Sequence, residues 1–352
     1  MNFTKHAVPL ILFLCLLVIP ACGSPKEEVP DTSTPLATED IQEELIPTPA
    51  KPAYIAPLTG LPLEEPVVRR PIAVMINNAP AARPQSGLGG ADIVYEVLAE
   101  GGVTRLIAIY QGKEEVTRIG PIRSIRPYMI DLGESYHGVL VHAGASNDAY
   151  AILQRQHKDD LDEISNAGAY FWRDKTRKAP HNLYSNLEKL MEGAAKRNYA
   201  VEDTEVPSYT FREEDDPGQG NPANKVEIKF LLENYRVAYE YDPETKLYNR
   251  FVNGELHKDL DTGEGITTTN VVVMGADHKV LDDVGRLSVD LELGGEALLF
   301  QHGKVIEGSW IRKSNDVIRF VKDNIEVPFY PGTTFFNIVP NSPDFSSHIE
   351  VQ

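Results

Sequence analysis

Cysteine is nearly absent. Cys15 and Cys22 are the only two in 352 residues, and both fall within the first 22. The rest of the chain can therefore build no disulfide, no cysteine-based metal site and no thiol nucleophile. Positive charge is also short: 34 basic residues face 52 acidic ones, a formal net charge of −18. That balance argues against nucleic-acid binding, which needs a basic surface to neutralise phosphates. It argues equally against holding an anionic membrane by charge alone. The longest apolar run near the start, Ala7 to Ile19, has 13 residues. It is too short to span a bilayer but suits the core of a signal peptide. Several motifs are missing as well. There is no H-E-x-x-H, no P-loop and no G-x-G-x-x-G, nor the S-x-x-K set of penicillin-binding enzymes. No metal site and no cofactor is expected.

What is present begins with Ile19-Pro20-Ala21-Cys22-Gly23-Ser24. A small residue before a cysteine at this place resembles a bacterial lipobox. Residues 1–21 then form a lipoprotein signal peptide and Cys22 becomes the lipidated N-terminus. Its loss removes Lys5 and no acid, so −18 becomes −19. Residues 22–52 are rich in proline, serine, threonine and acid, which gives an extended tether with little to bury.

Two textures follow. Residues 53–201 mix strand-like runs such as PIAVMIN (71–77) with helical patterns such as NLYSNLEKLMEGAAKRN (182–198), and read as a mixed α/β domain. Residues 202–224 collect proline, glycine and acid and read as a linker. Residues 225–352 show short alternating runs separated by turns such as VNGE and QHGK. They read as a β-rich antiparallel domain, a small barrel or sandwich. The fold class expected is α+β.

ADIVYEVLAE (91–100) and VTRLIAIY (103–110) flank Gly101-Gly102, the signal of a two-residue hairpin turn. That register sets Glu100 opposite Val103, Leu98 opposite Arg105 and Glu96 opposite Ile107. Glu96, Leu98, Glu100, Arg105 and Ile107 would then share a face, with Arg105 in reach of Glu100. Glu96 and Glu100 are weak candidates for a glycosidase pair. Four residues of strand separate their backbones by about 13 Å, more than such a pair uses.

Arginine gathers between residues 69 and 126: Arg69, Arg70, Arg83, Arg105, Arg118, Arg123 and Arg126, joined by one lysine, Lys113. The loops ARPQSGLGGAD (82–92) and RIGPIRSIRPY (118–128) combine Gly and Pro with Arg and Ser. Arginine forks hold carboxylate or phosphate by two hydrogen bonds. An anion site of Arg83, Ser86, Arg123, Ser124 and Arg126 is the specific expectation; structural ion pairs with surrounding acids are the plain one. VHAGASND (141–148) adds His142, a weak acid–base candidate, and Ser146, expected to cap the next helix. WRDKTRKAPHNLY (172–184), with Trp172, His181 and Tyr184, is a local basic patch that reads either as a binding loop over the site or as a solvated surface loop. HKDLDTGEG (257–265) lacks the EF-hand spacing and reads as a turn.

The lipobox, NNAPAARPQSGLGGADIVYEVLAEGGVTRLIAIY (77–110), RIGPIRSIRPY and VHAGAS resemble the YerB-like lipoprotein family of Bacillus and related Firmicutes. LYNRFVNGELHKDLDTGE, NVVVM and FFNIVP resemble that family's C-terminal domain. The resemblance implies an N-terminal and a C-terminal domain on the outer face of the membrane. It supplies no activity, so it carries over no catalytic residue. The function expected is a binding or scaffold protein, anchored to the membrane through Cys22, with an arginine-lined site for an anionic envelope ligand. Carboxylates of peptidoglycan peptides and phosphates of wall polymers are the candidates. The alternatives are an envelope hydrolase using Glu96, Glu100 or His142, and an adaptor that meets an envelope protein through an edge strand.

Overall fold

β1 (Ile72–Asn77) is buried at every position. A Val/Ile-rich run without alternation suits a strand covered on both faces. Ile72, Val74 and Ile76 enter one core layer, and Ala73 and Met75 the other. β2 (Ile93–Leu98) and β3 (Thr104–Tyr110) are buried throughout in the same way, and β3 runs antiparallel between β1 and β2. The computed structural model describes residues 53–352 except 114 and 214. The signal peptide, Cys22 and the tether lie outside the described residues.

α1 (Pro127–Glu134) opens on a proline, whose fixed φ and missing N–H suit a first helical position. β4 (Val139–His142) pairs parallel with β1. α2 (Asn147–Arg155) is capped by Ser146, whose side chain accepts from the Ala149 N–H. It crosses over to β5 (Asp160–Asp162), parallel to β4. α3 (Leu187–Lys196) is capped by Asn186 and buries Leu187, Leu190 and Ala194 in the first core layer.

The second half is strand-rich. β6 (Lys225–Lys229), β7 (Arg236–Asp242) and β8 (Leu247–Val252) form an antiparallel meander. β9 (Asn270–Ala276), β10 (Gly295–Gln301), β11 (Lys304–Ile311) and β12 (Arg319–Lys322) run antiparallel in the large sheet. β13 (Thr334–Pro340) departs from the expected antiparallel pattern. It lies between β9 and β2 and is parallel to both. Parallel neighbours need long connections, and both of these come from distant sequence. β14 (Ile349–Val351) closes the small sheet beside β6. The fold is α+β, with one sheet running from β12 through β13 to β5 and shared by both halves of the chain. Helix α1 covers one face of it, and the small sheet covers part of the other.

The hairpin differs from the sequence expectation. Residues 100–102 form a 3-10 turn with Gly101 and Gly102 at φ 68° and 73°, and the Ala99 N–H bonds the Val103 carbonyl at 2.8 Å. Leu98 therefore opposes Thr104, Val97 opposes Arg105 and Glu96 opposes Leu106. A slip of one residue exchanges the two faces of a strand. Arg105 moves to the α1 side, and Glu96 turns toward the small sheet. The expected Arg105–Glu100 pair gives way to Arg126–Glu100.

Candidate functional site

Glu96 and Arg250 are both fully buried, and Arg250 Nη2 donates to Glu96 Oε2 at 2.5 Å. Nη1 of the same arginine lies 2.5 Å from His257 Nδ1. A guanidinium can only donate, so Nδ1 accepts and Nε2 carries the proton. Nε2 donates to Gln85 Oε1 at 2.7 Å, Gln85 Nε2 to Asn78 Oδ1 at 2.8 Å, and Asn78 Nδ2 to Glu96 Oε1 at 3.0 Å. The hydrogen bonds close a ring. The Tyr235 hydroxyl at 2.5 Å and the Thr104 hydroxyl at 2.7 Å also donate to Glu96 Oε1. Burial opposes the Arg250 charge, but the Glu96 carboxylate outweighs it and holds the guanidinium pKa above its ordinary value. Both Glu96 oxygens are committed inside the protein.

His257 is held neutral in this ring. Burial, then Arg250, then Arg83 push its pKa well below the ordinary histidine value. Only the neutral ring can accept from Arg250. Below about pH 6.5 the unfolded chain takes up a proton here that the folded chain refuses, so stability falls as pH falls. Urea unfolding at pH 7.5 and pH 5.0 should show a loss in the native protein that is smaller in His257→Gln. An equal loss in both would remove His257 from the account. His181 and His278 are also held low by burial and contribute to both proteins alike.

The opposite face of the sheet carries the arginine cluster. The segment before α1 is tied to strand ends: the Asn77 N–H bonds the Pro121 carbonyl, the Arg123 N–H the Met75 carbonyl and the Ala143 N–H the Arg123 carbonyl. This places Arg123 at the carboxyl ends of the parallel strands β1 and β4, where α/β sheets bind ligands. Arg105 donates to the Ser124 carbonyl at 2.7 Å, and Arg126 pairs with Glu100. Burial pushes the Glu100 carboxyl up, and the Arg126 hydrogen bond overrides it and holds the pKa below the ordinary value. Arg105 is buried, and burial followed by Arg126 lowers its pKa to about 10. Burial, then Arg126, lowers that of Arg123. His181 bonds Asn77 at 2.9 Å and is lowered by burial, then Arg123, then Arg177. Three guanidinium groups, Arg105, Arg123 and Arg126, thus share one close carboxylate, Glu100. The Arg123 side chain makes no hydrogen bond or ion pair among the described residues.

The other sequence candidates sit apart from this cluster or serve its walls. Ser124 Oγ donates to the Ala143 carbonyl at 3.0 Å. Ser86 is fully buried and bridged by its backbone to Gly120, with no partner for its hydroxyl. Arg83 lies over the Tyr235 ring on the small-sheet side. His142 is fully buried; its Nδ1 donates to the Gly144 carbonyl at 3.0 Å and its Nε2 stands 3.4 Å from Asp160 Oδ2. Asp162 beside it accepts from the Gly144 and Ile164 N–H groups, the Ser165 hydroxyl and the Tyr150 hydroxyl. Burial pushes its carboxyl up, and these hydrogen bonds, led by Gly144, hold it below the ordinary value.

Sequence reasoning missed Arg250, His257, Gln85, Asn78 and Asp162, and met His181 only as part of the basic patch at 172–184. Arg250 left one signal: in LYNRFV it occupies the same strand face as the apolar Tyr248 and Val252. A charge on an apolar stripe needs a partner. The other four carry no local pattern.

Among the described residues, none of the helices is long and apolar enough to cross a membrane. Residues 58–200 match the model described as protein of unknown function (DUF3048), N-terminal domain, and residues 226–336 match the corresponding C-terminal domain. The chain is 39% identical over 303 residues to "Putative lipoprotein YerB" of Bacillus subtilis (strain 168), covering 85% of this chain and 90% of that protein. The crystal structure of the Bacillus subtilis YerB protein superposes with a TM-score of 0.77 at 37% identity, covering 85% of this chain and 99% of that one. With both domain models matched in order across most of its length, the chain belongs to the DUF3048 family, of which YerB is a member.

Proposed function

We propose that the protein is a lipid-anchored, extracytoplasmic binding protein that holds an anionic envelope ligand on Arg123 and Arg126. The anchor rests on the Ile19-Pro20-Ala21-Cys22 motif and on the Bacillus subtilis relative, which carries lipoprotein in its name. The anion site rests on one observation. Arg123 is half-buried beside two other arginines and spends none of its five N–H donors on the protein among the described residues. Uncompensated like charge at close range is costly, and a bound anion relieves it. A carboxylate of a wall peptide or a phosphate of a wall polymer meets the guanidinium fork equally well.

Isothermal titration with inorganic phosphate and with acetate at low salt tests the site. Binding is expected, with Arg123→Ala lowering affinity about tenfold or more, the scale of a lost charged hydrogen bond. Binding unchanged in Arg123→Ala, or no binding of either anion, removes this reading.

A further inference from the structure

A groove on the small-sheet side has no part in the Arg123 site. Pro80, Arg83 and Asn253 stand between two hollows and line both. One hollow, of about 360 Å³, has Val103, Leu232 and Tyr235 as apolar walls. The other, of about 520 Å³, is walled by Pro84, Leu256 and Lys258, with Glu255 at its margin. Arg83 occupies the junction. Its guanidinium carbon lies 5.0 Å from the centroid of the Tyr235 ring, and the Tyr235 hydroxyl behind it is committed to Glu96.

Arg83 Nη1 is shut away from solvent and has no hydrogen-bond partner. No carboxylate pairs with Arg83 among the described residues. In a chain of 52 acidic residues that is a departure, since buried donors are nearly always satisfied. The local sequence explains it in part: no acid follows Arg83 before Asp92, and the Asp92 carboxylate is taken by the Gln111 and Gly112 N–H groups. Arg83 as a residue nevertheless lines both hollows, so a carboxylate brought into the groove meets a guanidinium that no acid of the protein has claimed. The ligand's other features follow from the walls. Glu255 puts negative charge on the margin, which disfavours a polyanion. Asn234 and the Asn253 amide nitrogen line the first hollow and make no side-chain donor bonds among the described residues, so amide groups of a ligand find partners there. The Val103–Leu232–Tyr235 hollow suits an apolar side chain.

We infer that this groove binds a peptide carboxylate, with the carboxylate on Arg83, the peptide amides at Asn234 and Asn253, and an apolar side chain against Tyr235. The site is distinct from Arg123, and its occupancy does not depend on an anion there.

Titration of the full protein with N-acetyl-Ala-Leu, its C-terminal amide and decanoate tests the inference. The free acid is expected to bind and the amide to bind about tenfold or more weakly, as for one lost charged hydrogen bond. Arg83→Gln should remove the difference between acid and amide, while Arg123→Ala leaves it intact. Leu232→Trp, on the exposed rim, fills the apolar hollow without touching Arg83 and should abolish binding in a protein whose melting temperature is unchanged. Equal binding of acid and amide overturns the role of Arg83, as does full binding by Arg83→Gln. Decanoate bound in place of the dipeptide overturns the peptide assignment, and so does the absence of any binding.

Discussion

Glu96→Gln is expected to destabilise the protein by about 3–5 kcal/mol, the cost of removing one partner from a buried ion pair. Arg250 would keep its charge at a position with no exposure to water, and the single amide oxygen of the glutamine cannot serve both it and the donors Asn78, Thr104 and Tyr235, which leaves the Tyr239 hydroxyl at 3.3 Å and His257 as its other, neutral acceptors. The reverse change is cushioned. In Arg250→Gln the Glu96 carboxylate still accepts from Asn78, Thr104 and Tyr235. Glu96→Gln should therefore be the worse of the two, although both break the same contact. Urea denaturation of the two single variants and the double variant measures this directly. A double variant milder than Glu96→Gln alone is also expected, because no charge is then stranded. Equal costs for the two single variants would show that the three neutral donors do not support the carboxylate as described.

Asp162→Ala should cost about 1–3 kcal/mol, since it strands the buried Gly144 N–H and removes the partner of the more exposed Ile164 N–H and of two hydroxyls. The Gly144 and Ile164 amides lose their acceptor, and so do Ser165 and Tyr150. Asp162→Asn keeps one carbonyl oxygen and should cost less. The damage also reaches the anion site. Ser124 Oγ rests on the Ala143 carbonyl and the Ile125 N–H on that of Gly144, so the turn that Asp162 pins is the floor beneath Arg123 and Arg126. Amide exchange at Gly144 should accelerate, and phosphate affinity should fall with it. An Asp162→Ala protein with native exchange at Gly144 would show that the turn holds itself.

Much of this fold is legible in the residues. PIAVMIN reads as a buried strand because apolar side chains without alternation leave no wet face, and β1 is buried at all six positions. Ser146 is legible as a cap because its side chain can reach the N–H three residues on. The Gly101-Gly102 turn misled for a physical reason. Two glycines allow a two-residue turn, but they equally allow the longer turn with both at positive φ. The choice between them decides which face Glu96 and Arg105 occupy. The ring of Glu96, Arg250, His257, Gln85 and Asn78 was beyond reach, because its members are spread from residue 78 to residue 257 and meet only when the small sheet covers β2. For the same reason the five residues expected at one anion site fall into separate settings. Arg123, Ser124 and Arg126 share a strand-to-helix segment. Arg83 and Ser86 sit on a loop whose arginine turns toward the other lobe.

β13 also governs the order in which the molecule can be completed. It is residues 334–340 that separate β9 from β2, so the middle of the large sheet is filled by a strand made long after β2 itself. Until then β2 has an open edge, apolar but for Glu96 and the Tyr95 hydroxyl, the kind of surface that pairs with other chains. A chain of this design cannot finish the core of its first half until that distant strand is available. Such late, long-range closure is slow by nature, and it leaves the half-built sheet to be protected for as long as the missing strand is absent.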